Sequence, residues 1–136
     1  MARNPRNAPK RILVIDDDIY VARIVALCLE PFGEFDVQAA LDGQSGVQEA
    51  VNLKPDLIVL DFDLPGADGL AVLQRLRAAA VTQAIPIVAV TGAMDVDPRC
   101  VAMVSACDAY VAKPVNFRIL RQTTLNLLLR PAATLV

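Results

Sequence analysis

The chain has 136 residues, a formal net charge of -2, no histidine and a pI near 5.0. This length fits one domain that needs no metal or disulfide merely to fold. The charge balance argues against nucleic acid as the main partner, because binding phosphates requires a concentrated basic face. Although 55% of the residues are hydrophobic, no apolar run approaches the roughly 18 residues of a membrane span.

Short apolar runs alternate with longer, helix-compatible stretches along the chain. The predicted strands are Arg11 to Ile15, Glu34 to Ala40, Asp56 to Leu60, Ile85 to Val90 and Ala109 to Ala112. The predicted helices are Asp18 to Glu30, Gly43 to Leu53, Gly69 to Val81, Pro98 to Ser105 and Asn116 to Arg130. This alternation predicts an α/β fold, a doubly wound parallel sheet with helices on both faces. The second strand is the most polar and is expected at an edge.

Capping residues support these helix starts. Asp18, Asp42, Asp68, Asp97 and Asn116 each stand where a helix is predicted to begin. The domain is predicted to cover residues 11–130. It lies between a flexible basic tail at 1–10, which lacks the apolar core of a secretory signal, and a short tail at 131–136.

The cysteines do not indicate a disulfide framework or a zinc site. Cys28, Cys100 and Cys107 are odd in number, lack Cys-x-x-Cys spacing and have no histidine to join them. We interpret them as small buried hydrophobic residues in a reducing cytoplasm.

Polar residues follow four of the predicted strands. Asp16 and Asp17 follow the first, Asp61 the third, Thr91 the fourth and Lys113 the fifth. Ligands of an open parallel sheet bind outside these carboxyl ends. Converging carboxylates favour a hard divalent cation such as Mg²⁺, and a hydroxyl with an ammonium suits a phosphoryl group. The set predicts phosphoryl-transfer chemistry.

Four fragments in this order, "ILVIDDD", "LIVLDFDLPGADGL", "IVAVTGA" and "AYVAKP", span Ile12 to Pro114. Together they resemble the receiver domain of two-component response regulators, with the single-domain members as the closest likeness. The resemblance implies a flavodoxin-like sheet with strand order 2-1-3-4-5. It also implies that Asp61 is a phosphoacceptor that takes its phosphoryl group from a histidine kinase or phosphotransferase.

The resemblance assigns further roles at the same edge. Asp16 and Asp17 would hold Mg²⁺ together with Asp61 and the backbone carbonyl of Asp63.

Thr91 would hydrogen-bond the phosphoryl group, Lys113 would pair with it, and the Lys113-Pro114 bond would be cis. Tyr110 would be an aromatic switch residue that turns inward when Thr91 moves toward the phosphoryl group.

Two positions depart from the family pattern. Ala106 replaces a usual glycine, so either a positive φ costs roughly 1 kcal/mol there or the helix ends differently. Gly92 replaces a usual alanine and is expected to loosen the switch loop. The side chains of Ala93 and Asp63 would influence the lifetime of the phosphoryl group, in a direction left open.

The fourth and fifth helices carry more apolar residues than one buried stripe requires. With the fifth strand they form the family's usual output surface, which predicts a downstream protein partner or a homodimer. Because no DNA-binding or catalytic segment follows Pro131, we expect the output to come through binding another protein. We also expect no nucleic-acid partner and no membrane association, and a cytoplasmic location. Ordinary scattered surface leucine is the plainer interpretation.

Other interpretations remain open at this point. Taken singly, Asp16, Asp17 and Thr91 are also consistent with simple caps, and Tyr110 with a half-buried aromatic residue. The segment "IVLDFDLPG" also resembles the start of haloacid-dehalogenase phosphatases, in which Asp61 would be the nucleophile and Asp63 the general acid. A degenerate receiver that binds partners without phosphorylation is the remaining alternative.

Overall fold

The computed structural model describes residues 8–92 and 96–129. Five strands form one parallel sheet of order β2-β1-β3-β4-β5. They are β1 (Lys10–Ile15), β2 (Phe35–Ala40), β3 (Leu57–Asp61), β4 (Ile87–Thr91) and β5 (Ala109–Ala112). The helices are α1 (Ile19–Leu29), α2 (Gly43–Leu53), α3 (Gly69–Ala78), α4 (Pro98–Ala106) and α5 (Phe117–Leu128). The predicted fold class, strand order and edge position of β2 are confirmed.

Two hydrophobic cores lie on opposite faces of the sheet. The first contains residues of α2, α3 and α4 against Leu13, Ile58 and Ala89. The second contains residues of α1 and α5 against Val14 and Val88. Strands covered on both faces need apolar residues at every position, which explains the continuous apolar runs of β3 and β4.

Every predicted capping residue caps its helix. The side chains of Asp18, Asp42, Asp68, Asp97 and Asn116 each accept a backbone N–H from the first turn. These bonds satisfy donors that a helix start leaves without a partner.

Some predicted boundaries are wrong by one to three residues. Helix α3 ends at Ala78 rather than Val81, because Ala79 is extended and the buried Thr82 hydroxyl donates to the Leu76 carbonyl at 2.6 Å. Strand β4 begins at Ile87 rather than Ile85, since the Ile85 N–H donates within a turn, to the Thr82 carbonyl.

Smaller shifts occur at other elements. Helix α1 excludes its cap and ends at Leu29 before a 3₁₀ turn, and β2 and β3 each begin one residue later than predicted. Helix α5 ends at Leu128, and Arg130 lies outside the described residues.

The predicted tail at 1–10 is too long by at least one residue, because Lys10 pairs with Phe35 in the sheet. Residues 1–7 and 131–136, like Ala93, lie outside the described part of the chain. No helix among residues 8–92 and 96–129 is long and apolar enough to cross a bilayer.

Helix α4 ends without the left-handed residue that a glycine would allow. Ala106 is the last helical residue, and Cys107 follows it in extended conformation with φ -86° and ψ 166°. Of the two outcomes expected at this position, the different helix ending is the one observed. The Cys107 N–H still donates to the carbonyls of Met103 and Val104, which closes the last turn.

Gly69 at the start of α3 lies close to the end of β3. A Cβ atom there would come within 2.7 Å of both the Asp61 carbonyl oxygen and Met103 Sδ. We therefore expect Gly69→Ala to lower the free energy of unfolding by roughly 1–3 kcal/mol, because the backbone oxygen cannot move aside without shifting β3. Urea denaturation measures the change.

Gln74→Ala is the matched control, because Gln74 is exposed on the same helix. We expect a change within about 0.5 kcal/mol for this variant. Equal effects of the two substitutions would contradict the packing argument.

Candidate functional site

Three charged side chains, those of Asp16, Asp61 and Lys113, lie at the carboxyl edge of the sheet and point to the same face. Alternate residues of a strand point to opposite faces. The residues that precede the charged ones by two or four positions belong to the core beneath α1 and α5. They are Ile12 and Val14 before Asp16, Leu57 and Val59 before Asp61, and Val111 before Lys113. The alternation therefore aims Asp16, Asp61 and Lys113 at one region.

An ion pair joins two of these residues. Lys113 Nζ lies 2.8 Å from Asp61 Oδ1, and the Asp61 side chain is 1% exposed while that of Lys113 is 37% exposed. Apart from this ion pair, no hydrogen bond reaches the buried Oδ1 from the residues that the structure describes. Such a carboxylate depends strongly on its one cation.

The pKa shifts of this pair follow from burial and charge. Burial raises the pKa of Asp61, and Lys113 and the Asp63 N–H oppose the rise without cancelling it. Burial alone would lower the pKa of Lys113, but the contact with Asp61 outweighs burial and raises it. The ammonium group is therefore held in its charged form beside Asp61.

Asp16 and Asp17 complete an acidic cluster around Asp61. One carboxylate oxygen from each of the three residues lies within 4.8 Å of the others. Asp16 is buried and accepts the Asp18 N–H at 2.9 Å, while Asp17 is exposed. Burial raises the pKa of Asp16 to about 6, and the Asp61 charge adds to the rise. Three carboxylates against one ammonium leave excess negative charge.

The donor set fits a small hard cation. Mg²⁺ prefers oxygen ligands and is usually held by one or two carboxylates, with waters or phosphate oxygens completing an octahedron. Asp16, Asp17 and Lys113 line an open pocket of ≈ 350 Å³, so solvent reaches the cluster. A larger pocket of ≈ 540 Å³ lies between α1 and β2, and its lining contains no carboxylate.

Thr91 stands at the same edge but on the other face of the sheet. It ends β4 two residues after Ala89, which belongs to the core beneath α4. Its buried hydroxyl lies 2.9 Å from Cys100 Sγ.

The end of β5 is fixed beside β4. The Lys113 N–H donates to the Thr91 carbonyl at 2.9 Å, and the Lys113-Pro114 bond is cis. Tyr110 lies on this edge strand and is 47% exposed. Asp63 lies in the loop after β3 with an exposed side chain. The switch role of Tyr110 and the metal contact of the Asp63 carbonyl stay predictions.

A family model for the response regulator receiver domain matches residues 12–124. The chain belongs to this family of receiver domains. The fold and the sequence resemblance agree with this assignment, and receiver domains are signalling modules of two-component systems.

Curated relatives of this receiver domain are longer regulators. RpaA of Synechocystis, named as a DNA-binding master transcriptional regulator, is 42% identical over 78% of this chain and 44% of its own length. PrrA of Mycobacterium leprae, named as a transcriptional regulatory protein, is 34% identical over 91% of this chain and 52% of its own. The chain thus spans about half the length of these relatives.

Solved receiver domains have the same architecture. A CheY-like receiver domain protein from Methanospirillum hungatei superposes with a TM-score of 0.76 at 27% identity, over 89% of this chain and 94% of that one. The receiver domain of a Francisella response regulator gives a TM-score of 0.75 at 26% identity, over 89% and 98% of the two chains.

Two interactions of this receiver domain were missed by the sequence analysis. Asp68, predicted only as a cap, also accepts from Arg99 Nε and Nη2 at 2.5 and 2.9 Å, which joins the starts of α3 and α4. Cys100, predicted only as a buried hydrophobic residue, contacts Thr91. Neither pair is visible as a motif, because the partners are separated by 31 and 9 residues.

The pKa of Asp16 predicts how stability changes with pH. Because the folded pKa of about 6 exceeds the unfolded value of about 3.9, the folded chain binds more protons between these values. The contribution of Asp16 to the free energy of unfolding therefore falls as pH rises from about 4 to about 6. At pH 7.5 in EDTA, we expect the free energy of unfolding of Asp16→Asn to exceed that of the wild type by about 2 kcal/mol. Near pH 4 we expect this difference to vanish, because Asp16 is then protonated in the folded chain.

Urea denaturation at both pH values measures this effect. Asn keeps an oxygen that accepts the Asp18 N–H, so the variant changes charge with little change in hydrogen bonding. Asp17→Asn is the control, and we expect a smaller change because Asp17 is exposed to water. An Asp16→Asn advantage of equal size at both pH values would contradict burial as its cause.

Proposed function

We propose that this receiver domain is a phosphoacceptor, and that Asp61 takes a phosphoryl group from the phosphohistidine of a kinase or phosphotransferase. The observation that carries the proposal is the buried Asp61 carboxylate, 2.8 Å from Lys113 and clustered with Asp16 and Asp17. A carboxylate, a cation and two further carboxylates suited to Mg²⁺ are the groups that phosphoryl transfer to an aspartate requires.

In the proposed reaction, an Asp61 carboxylate oxygen attacks the phosphorus atom. The new O–P bond forms as the P–N bond to the donor histidine breaks, and the imidazole leaves with the electron pair of that bond. Lys113 stabilises the charge on the phosphoryl oxygens, and Thr91 donates its hydroxyl to one of them. Asp16, Asp17 and the Asp63 carbonyl would hold Mg²⁺, which neutralises negative charge when bound. Hydrolysis by water would later regenerate Asp61.

The site does not favour the two alternatives. As a haloacid-dehalogenase-type phosphatase, the chain would need Asp63 as a general acid, yet the Asp63 side chain is exposed in a surface loop. A degenerate receiver would not need the buried pair of Asp61 and Lys113, whose desolvation costs free energy.

The output surface that we propose consists of the α4, β5 and α5 face. Val101, Tyr110 and Ile119 on these elements are 41%, 47% and 52% exposed. Helices α4 and α5 lie on opposite faces of the sheet and β5 is its edge strand, so these residues belong to the elements that border that edge. Exposed apolar side chains on such elements favour a protein partner or a second copy of the chain. Leu129 after α5 is also exposed, whereas Leu125 is buried, so the excess of leucine is only partly at the surface.

The absence of a nucleic-acid partner stays a prediction for this chain. It rests on the net charge of -2, whereas RpaA is named as a DNA-binding protein and matches over 44% of its length. A cytoplasmic location likewise stays an expectation, since the kinase that we propose as donor would act there.

Phosphorylation is tested by intact mass. After incubation with acetyl phosphate and Mg²⁺, we expect the purified protein to gain the mass of one phosphoryl group. Asp61→Asn and an EDTA-treated sample are expected to show no gain, because the first removes the attacking oxygen and the second removes the cation. Asp36→Asn is the control, because Asp36 is an acidic residue on β2, which β1 separates from the strand of Asp61. This variant is expected to gain mass like the wild type.

An unmodified wild type under these conditions would overturn the proposal. The degenerate receiver would then be the better description. Steady release of phosphate from small phosphate esters would instead favour the phosphatase.

The output surface is tested by size. We expect beryllofluoride with Mg²⁺ to increase the apparent mass of the wild type in light scattering, and Ile119→Glu to prevent the increase by placing a charge on the apolar face. Val81→Glu is the matched control, because Val81 is 48% exposed but lies between α3 and β4. An increase that survives Ile119→Glu would exclude this face as the site of self-association.

A further inference from the structure

Cys100 is fully buried in the first turns of α4 and faces the end of β4. Its sulfur lies 2.9 Å from the Thr91 hydroxyl oxygen, and either atom could be the donor. A thiol is both a weak donor and a weak acceptor, so the contact is a weak hydrogen bond. The proposed phosphoryl-binding hydroxyl is thus already engaged by a side chain of α4.

The sheet explains why this contact opposes phosphoryl binding. Thr91 continues the face that α4 covers, whereas Asp61 and Lys113 continue the face that α1 and α5 cover. A Thr91 hydroxyl that reaches a phosphoryl group on Asp61 therefore has to turn away from Cys100. One contact is exchanged for the other.

Helix α4 would respond to this exchange because neighbouring residues tie it to the same region. Arg99 pairs with Asp68 at the start of α3. Met103, one turn after Cys100, packs where Gly69 approaches the Asp61 carbonyl. The face of α4 that carries these residues is therefore in contact with the start of α3, directly after the loop that follows Asp61.

We propose that Cys100 is a positioning residue for Thr91, and that its thiol holds the Thr91 hydroxyl against α4 in the unphosphorylated chain. The inference rests on the proposed function of Asp61 and adds the step that links it to α4. A weak hydrogen bond suits this role, because a small free-energy difference between two arrangements lets a phosphoryl group shift the population.

The experiment measures the affinity for beryllofluoride, by calorimetric titration with Mg²⁺ in excess. Removing a contact made only in the unphosphorylated arrangement favours the other one. We expect Cys100→Ala to bind roughly two- to tenfold tighter than the wild type, the range of one net hydrogen bond. Cys100→Ser restores a donor and acceptor, and we expect it to return affinity to within about twofold of the wild type, or to weaken it.

Two further variants separate positioning from simple packing. Cys107→Ala removes a thiol at the opposite end of α4, beside Arg77 and Asp108, and is expected to leave the affinity unchanged. In a Thr91→Val background, which lacks the hydroxyl, Cys100→Ala is expected to have no effect on affinity. A cavity effect alone would change both backgrounds equally, so the coupling between the two sites identifies the contact.

The outcomes distinguish this inference from the function on which it rests. A wild type that takes up no phosphoryl group and binds no beryllofluoride overturns both. If the wild type binds beryllofluoride but Cys100→Ala does not change the affinity, only the role of Cys100 is overturned. The same holds if Cys100→Ala changes the affinity equally with Thr91 and in the Thr91→Val background. Thermal unfolding of each variant verifies that it is folded at the titration temperature.

Discussion

The site depends on the imbalance of charge around Asp61. Its buried carboxylate contacts one ammonium group, and two more carboxylates lie within 4.8 Å of it, so negative charge is in excess among the described residues. The raised pKa of Asp16, to about 6, is a direct consequence of burial and of this crowding. Binding of a cation would relieve the repulsion and keep the carboxylates ionised, which is the physical reason for the Mg²⁺ site that we propose here.

The parallel sheet makes this arrangement possible at a modest cost. Its strands are apolar on both faces and hold the carboxyl ends in register, with Asp61 opposite Val90 and Thr91 opposite Ala112. The polar residues therefore need to be held only at one edge, where solvent enters through an open pocket. The two cores supply the rigidity on which the short distances at the edge depend.

Because side chains alternate along a strand, the charged residues and Thr91 lie on opposite faces of the sheet at that edge. Asp16, Asp61 and Lys113 converge above the core beneath α1 and α5, while Thr91 contacts α4 on the opposite face. A phosphoryl group on Asp61 would be recognised by residues from both faces. In the function that we propose, a phosphoryl group on Asp61 would affect α4 and the exposed residues beside it by drawing the Thr91 hydroxyl away from Cys100.

The sequence by itself determined the alternation of strands and helices, the helix starts and the residues at the strand ends, because periodicity, caps and breakers act locally. It also carried the receiver motifs that name Asp61, Asp16, Asp17, Thr91 and Lys113. Only the tertiary structure decided where α3 ends, since the buried Thr82 hydroxyl caps it through a turn. It alone decided that Arg99 pairs with Asp68 and that Cys100 meets Thr91. Such contacts join residues that are far apart in the sequence and meet only when the helices pack against the sheet. Local sequence patterns contain no information on these distances.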